Sequence, residues 1–290
     1  MPAAVVIFSK DRPAQLDLLL RSWSEQAPEW PQFAVSVLCK STDPEFERGY
    51  DIVRQAFPSV FFQPEDASRS FKAHVLALIE REERELFHFL ADELVFIRGY
   101  RTTDEPFQLL RRRPDVAAVA LRMSPRITFA QPINLKTPPP PLHDNVWSVA
   151  QRPRWLERVT RLAGIHSARG DWRLQINVDG NVLRYPHLLS HFRNLPEIRN
   201  LNHLETVFLQ NPLPQPHLVC YPESRLINLA LNRVDPHSTY PFAGHTATEF
   251  NRRFLAGERL SYKGLVGLRH NACHIIVEPD WFVPDAGSSR

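Results

Sequence analysis

The chain has little cysteine: only Cys39, Cys220 and Cys273 among 290 residues. An odd number, widely separated and without a CxxC spacing, suggests neither a disulfide framework nor a thiolate zinc site, and fits a reducing compartment. A strong excess of one charge is also missing. Lys and Arg total 35 against 32 Asp and Glu, a net +3, and the densest basic run is Arg111, Arg112 and Arg113, so no nucleic-acid partner is expected. No stretch reaches the roughly 18 consecutive apolar residues of a membrane span. The first apolar run begins at residue 3 with no basic leader before it. These absences predict a cytoplasmic protein without a transmembrane segment.

What is present is an ordinary globular composition, 43% hydrophobic and 23% charged, enough for one big α/β domain or two small ones, of which one domain with a long insertion is favoured. AAVVIF at 3–8 is a short, continuous β-branched and aromatic run that reads as a strand buried on both faces. SKDR then turns the chain. Pro13 suits the first turn of a helix, and Leu16, Leu19, Leu20 and Trp23 follow at the spacing of one buried stripe. The pattern repeats with a strand at 33–40, a helix marked by Phe46, Tyr50, Val53 and Phe57, a strand at 60–62, and a helix striped by Phe71, Val75, Leu78 and Ile79. A strand at 87–91, a helix near 105–113 and a strand at 116–122 continue it. Strands alternating with helices predict an α/β fold with a mostly parallel central sheet flanked by helices.

The stretch LFHFLADELVFIRGY at 86–100 places Asp92 and Glu93 between two apolar runs. A buried pair of like charges costs several kcal/mol per ion, about the size of a whole mutational effect, unless something positive meets it. In open α/β sheets ligands bind beyond the carboxyl ends of the strands. There the acid pair and the SKDR loop (Ser9, Lys10, Asp11, Arg12) would face one crevice, where a divalent cation shared with a phosphate would neutralise the acids.

IFSKDRPAQLDLLLRSW, followed by FLADELVFI, resembles the nucleotide-sugar glycosyltransferases of GT-A fold, particularly bacterial, family-2-like proteins that open with a strand and S-K-D-R-P-x-Q-L. VALRMSPRI (119–127), DWRLQINVDGNVLRY (171–185), LNHLETVFL (201–209), NRRFLAGERL (251–260) and HNACHIIVEPDWF (270–282) extend the likeness. The resemblance implies one GT-A-like domain over 1–290, with a nucleotide-binding half at 1–122 and an acceptor-side half at 123–290. It implies a nucleotide-diphosphate sugar as donor, a carbohydrate or other hydroxyl as acceptor, and Mn or Mg held by Asp92 and Glu93 with His274. Ser9, Lys10, Asp11, Arg12 and Glu65 would contact the nucleotide, and Glu205 or Asp179 would take the acceptor proton. Leu94 stands where the family's DxD motif has its second Asp.

The same residues have plainer readings. Asp92 and Glu93 can end a strand, Asp11 can cap the turn before Pro13, and Glu65 and Asp66 can be turn residues. Asp179-Gly180-Asn181 has the composition of a type I′ turn. Glu205 shares a helical stripe with Leu201, Leu204 and Phe208, on its flank. Asp171 is a further candidate base, His274 can be a core histidine, and His270 is its neighbouring alternative. TPPPP at 137–141 carries no chemistry. A nucleotidyltransferase, or a non-catalytic nucleotide- or carbohydrate-binding protein of this fold, remains an alternative, although no glycine-rich loop follows the first strand to cradle a triphosphate.

Overall fold

The structure is a computed structural model that describes residues 3–131, 134–149, 170–232 and 242–284. The first half alternates as its periodicity predicts: β1 (Ala4–Lys10), α1 (Pro13–Gln26), β2 (Ala34–Lys40), α2 (Pro44–Ala56), β3 (Phe61–Pro64), α3 (Phe71–Arg81) and β4 (Leu86–Ala91). All six residues of β4 are buried, which is why its run is apolar throughout instead of alternating. The α1 stripe is buried as well. Its Trp23 packs against the rings of Trp30, Phe33, His88 and Phe96.

After β4 come β5 (Leu94–Phe96), α4 (Glu105–Arg112) and β6 (Val116–Ala120), then the short strands β7 (Phe129–Ala130), β8 (Leu135–Lys136) and β9 (Val146–Ser148). The TPPPP segment is irregular chain between β8 and β9. β10 (Asn181–Arg184), α5 (Tyr185–Arg193), α6 (Leu201–Gln210), β11 (His217–Cys220), β12 (Leu226–Leu229), α7 (Ala247–Leu255), β13 (Arg259–Leu260), β14 (His274–Ile275) and β15 (Trp281–Phe282) complete the order.

The main sheet runs β3-β2-β1-β4-β10-β6-β11-β9. Neighbours from β3 to β4 are parallel, as are β6 and β11. β10 lies antiparallel between β4 and β6, so those two share a direction, and β9 runs antiparallel to β11. The mostly parallel sheet is therefore present, with an antiparallel strand in its middle. One face is covered by α1, α2, α4 and α7 through Leu16, Tyr50, Phe107 and Phe250. The other is covered by α3, α5 and α6 through Val75, Leu188 and Phe208.

This topology explains the two apolar runs around the acids. The first run is β4, central in the main sheet. The second is β5, which leaves that sheet and pairs antiparallel with β12, itself parallel to β14. Asp92 and Glu93 form the turn between the two sheets. Phe8 pairs with Ala91, and the Asp92 N–H donates to the Phe8 carbonyl at 3.1 Å, so Ser9 and Asp92 emerge at the same carboxyl edge.

Candidate functional site

At that edge a guanidinium meets both acids. Arg12 Nη1 donates to Asp92 Oδ1 at 3.1 Å and to Glu93 Oε2 at 2.9 Å. Its Nε and Nη2 donate to Oδ1 and the carbonyl of Asn232, each at 2.8 Å. Ser9 Oγ donates to Asp92 Oδ2 at 2.9 Å and also bonds the Tyr50 hydroxyl at 2.7 Å. Asn228 Nδ2 donates to Glu93 Oε1 at 2.7 Å. Burial, with help from Glu93, pushes the Asp92 carboxyl up to about 6, although Arg12 and the Ser9 hydrogen bond pull it down. Burial alone would lower the Arg12 pKa, but Asp92 and Glu93 hold it above its ordinary value.

The remaining SKDR and β3-loop residues divide. Lys10 is exposed at the end of β1, whereas Ser9 and Asp11 are buried. Asp11 has a left-handed φ of 55°, a region Asp tolerates better than most residues. Its carboxylate accepts from Thr42 N–H at 2.7 Å and from Thr42 Oγ1 at 2.9 Å. It therefore ties the β1–α1 loop to the β2–α2 loop. The α1 N-cap position falls to Arg12, which makes no side-chain cap. Glu65 pairs with Lys40 at 2.6 Å.

A second cluster forms around Arg122, which is 1% exposed just past β6. Its Nη2 donates to Asp171 Oδ1 at 2.8 Å, and its Nη1 donates to Asp179 Oδ2 and lies 3.5 Å from His274 Nε2. Burial would lower the Arg122 pKa, but Asp179 and Asp171 hold it above the ordinary arginine value. Burial acts to raise the Asp171 carboxyl, and Arg122, His274 and a hydrogen bond with Cys273 outweigh it, leaving it below the usual range. Asp179 is set in place by Asn177, whose Oδ1 accepts from the N–H groups of Asp179 and Asn181 at 3.0 and 3.2 Å. Gly180 has φ +91° while Asp179 is not in the left-handed region. The expected type I′ turn, which needs φ > 0 at two central residues, is thus replaced by a loop that feeds β10 into the sheet.

Glu205, on α6, lies within the electrostatic reach of this cluster. Desolvation by the surrounding protein, then the charges of Asp179, Glu93 and Asp171, raise its carboxyl pKa, with Arg122 opposing. The residue is nevertheless exposed, so water screens part of that field and the direction, upward, is what the geometry supports. The two clusters adjoin through β12 and β14: Asn228, which donates to Glu93, is the register partner of His274, which lies 3.5 Å from Arg122.

The arrangement does not fit the expected metal ligands. Asp92 is 4% exposed, and all four carboxylate oxygens of Asp92 and Glu93 already accept a hydrogen bond. His274 is placed against Arg122 instead of joining the acid pair. Among the described residues no three His, Cys, Asp or Glu side chains converge as metal ligands would. The set Asp92, Glu93 and His274 is not assembled because Arg12 occupies the space between the carboxylates. His270 turns its Nδ1 to the Ala272 carbonyl at 2.7 Å. Arg122, Asn228 and Asn232 stand in no motif that marks them as site residues in the sequence. The one visible signal was an arginine closing the apolar run VAAVAL at 116–121.

No helix among the described residues is long and apolar enough to cross a membrane. No protein-family model and no curated protein matches the chain. In three dimensions it is similar to several solved structures. S. aureus TarS is 12% identical with a TM-score of 0.49, covering 78% of this chain and 36% of that one. S. aureus TarS 1–349 in complex with UDP-GlcNAc is 12% identical with a TM-score of 0.48, covering 88% and 66%. The mannosyltransferase PcManGT from Pyrobaculum calidifontis, in complex with GDP-Man and Mn2+, is 13% identical with a TM-score of 0.44, covering 82% and 59%. The chain thus spans between 36% and 66% of the length of these proteins.

Proposed function

We propose that the chain transfers a sugar from a nucleotide-diphosphate donor to an acceptor hydroxyl. One observation carries the reading: two arginine–carboxylate clusters adjoin at the carboxyl edge of the parallel strands, the region where open α/β sheets bind ligands. The cluster of Arg12, Asp92 and Glu93 lies between β1 and β4, where the strand order turns from descending to ascending. The donor's diphosphate belongs on this side, beside Lys10 and Arg12. The cluster of Arg122, Asp171 and Asp179 is the acceptor side, with Glu205 open to solvent above it.

In an inverting transfer the acceptor oxygen forms its bond to the anomeric carbon as the bond to the diphosphate oxygen breaks. The diphosphate leaves with the electron pair, and the hydroxyl proton passes to a carboxylate. Glu205 suits that step because it is accessible and its raised pKa makes it a stronger proton acceptor once ionised. Asp179 is the second candidate, with Oδ2 bound to Arg122. Arg122 is a positioning residue that fixes Asp179 and Asp171 relative to each other.

The test is release of nucleoside diphosphate from a panel of sugar nucleotides offered with hydroxyl acceptors. Wild type is expected to turn over at least one donor. Glu205→Gln, shown to be folded, is expected to keep donor affinity and lose about a hundredfold or more in turnover. Asp179→Asn tests the second candidate in the same way. Donor binding without any turnover would return the chain to the binding-protein alternative.

A further inference from the structure

The Arg12 guanidinium stands where a cation bridging the two acids would have to sit. Four of its five N–H groups are committed: Nε and one Nη2 hydrogen to Asn232, and both Nη1 hydrogens to Asp92 and Glu93. The fork is therefore gripped from both sides, and its side chain is 11% exposed. Asp92 lies behind it, closed on the other side by Ser9 and Tyr50. A hard cation needs oxygen ligands it can reach. Here it would have to displace hydrogen bonds from both carboxylates while facing a fixed positive charge that does not deprotonate in proteins. Lys10, exposed at the end of β1, adds a second positive charge at the same edge. Two cationic side chains thus match the two acids.

We propose that Arg12 is the resident cation of the donor site and that a nucleoside diphosphate binds there without a divalent metal, its phosphates met by the remaining Nη2 hydrogen and by Lys10. This rests on the donor-site reading above. Arg12 then does two things. It neutralises Asp92 and Glu93, and it presents one N–H of fixed direction to the ligand.

The experiment is calorimetric titration of UDP, GDP, ADP, CDP and dTDP into the full chain, in EDTA and in Mn or Mg. Wild type is expected to bind at least one of them with the same affinity in all three conditions. Arg12→Ala uncovers the carboxylates, so its affinity is expected to fall by about tenfold or more in EDTA and to recover when Mn is added. Arg12→Lys keeps a charge without the fork and is expected to lie between. Thermal melts establish that the variants fold. If Arg12→Ala does not fold, the wild-type comparison with and without EDTA decides by itself. Wild-type binding that requires Mn or Mg overturns the inference and leaves the donor site standing. Metal-independent binding that is unchanged in a folded Arg12→Ala removes Arg12 from the site. No binding in any condition overturns the donor-site reading and this inference together.

Discussion

Replacing Asp92 with Asn isolates the cost of the buried acid. The carboxyl is pushed from an ordinary 3.8 to about 6, and its side chain is 5% exposed, so little solvent screens it. Between those two pH values the folded chain keeps a proton that the unfolded chain has lost. Stability therefore falls as pH rises, by about 1.4 kcal/mol per unit and about 3 kcal/mol across the interval. An amide does not titrate, so the variant escapes this loss. His88 works with the opposite sign in both proteins. Buried, with neither ring nitrogen hydrogen-bonded to a described residue, it is pushed from 6.5 down to about 3, and it costs stability as pH falls below 6.5. That shared background cancels in the difference between wild type and variant. Urea unfolding of both proteins at closely spaced pH values from 3.5 to 7 measures the difference, provided the slope against urea stays equal. The variant should gain about 3 kcal/mol relative to wild type over that range. A difference independent of pH, or one moving in favour of wild type as pH rises, would refute the desolvated-carboxylate account.

His88→Leu removes the group that must stay neutral in the core. The acid-side slope below pH 6.5 should become shallower by about 1.4 kcal/mol per unit, and urea melts at pH 4, 5 and 6 would show it; an unchanged slope would mean His88 is already paired or hydrated. Arg122→Met leaves Asp171 and Asp179 buried without their partner and should destabilise by about 3–5 kcal/mol, read from the same melts; a loss under about 1 kcal/mol would mean that solvent reaches both carboxylates. Because the Glu205 pKa is raised, the acidic limb of turnover against pH should lie above the ordinary carboxylate range. That limb should be absent from the residual activity of Glu205→Gln, and a limb that persists there belongs to another group.

The legible parts of the fold are those with strong local signals. β1 and β4 are runs of buried apolar residues, and α1 shows its stripe from Leu16 to Trp23, so their order along the chain implies the parallel sheet and the shared edge of Ser9 and Asp92. β10 was not legible, since four residues are too few to show a period and the preceding Asp179-Gly180-Asn181 has turn composition. The acids could be located from their apolar flanks, but their partner could not. Arg12 is 80 residues from Asp92 and Asn232 is 220 from Arg12, and contacts so remote leave no periodic trace. The same distance in sequence hid Arg122, which gathers Asp171 and Asp179 from 49 and 57 residues away. Asp171, the weakest of the candidate bases, is thereby as close to the cluster as Asp179. Asp11 reads from sequence as a helix cap, but its left-handed backbone directs its carboxylate to Thr42 and the N-cap position falls to Arg12.

The most direct measurement is a crystal structure of the protein with the nucleoside diphosphate that binds it best. The diphosphate is expected at the carboxyl edge, its oxygens within hydrogen-bond distance of Arg12 or Lys10, and the open end of the phosphate chain directed toward Asp179 and Glu205. A nucleotide seated elsewhere on the chain, with the Arg12 and Arg122 clusters untouched, would contradict this placement.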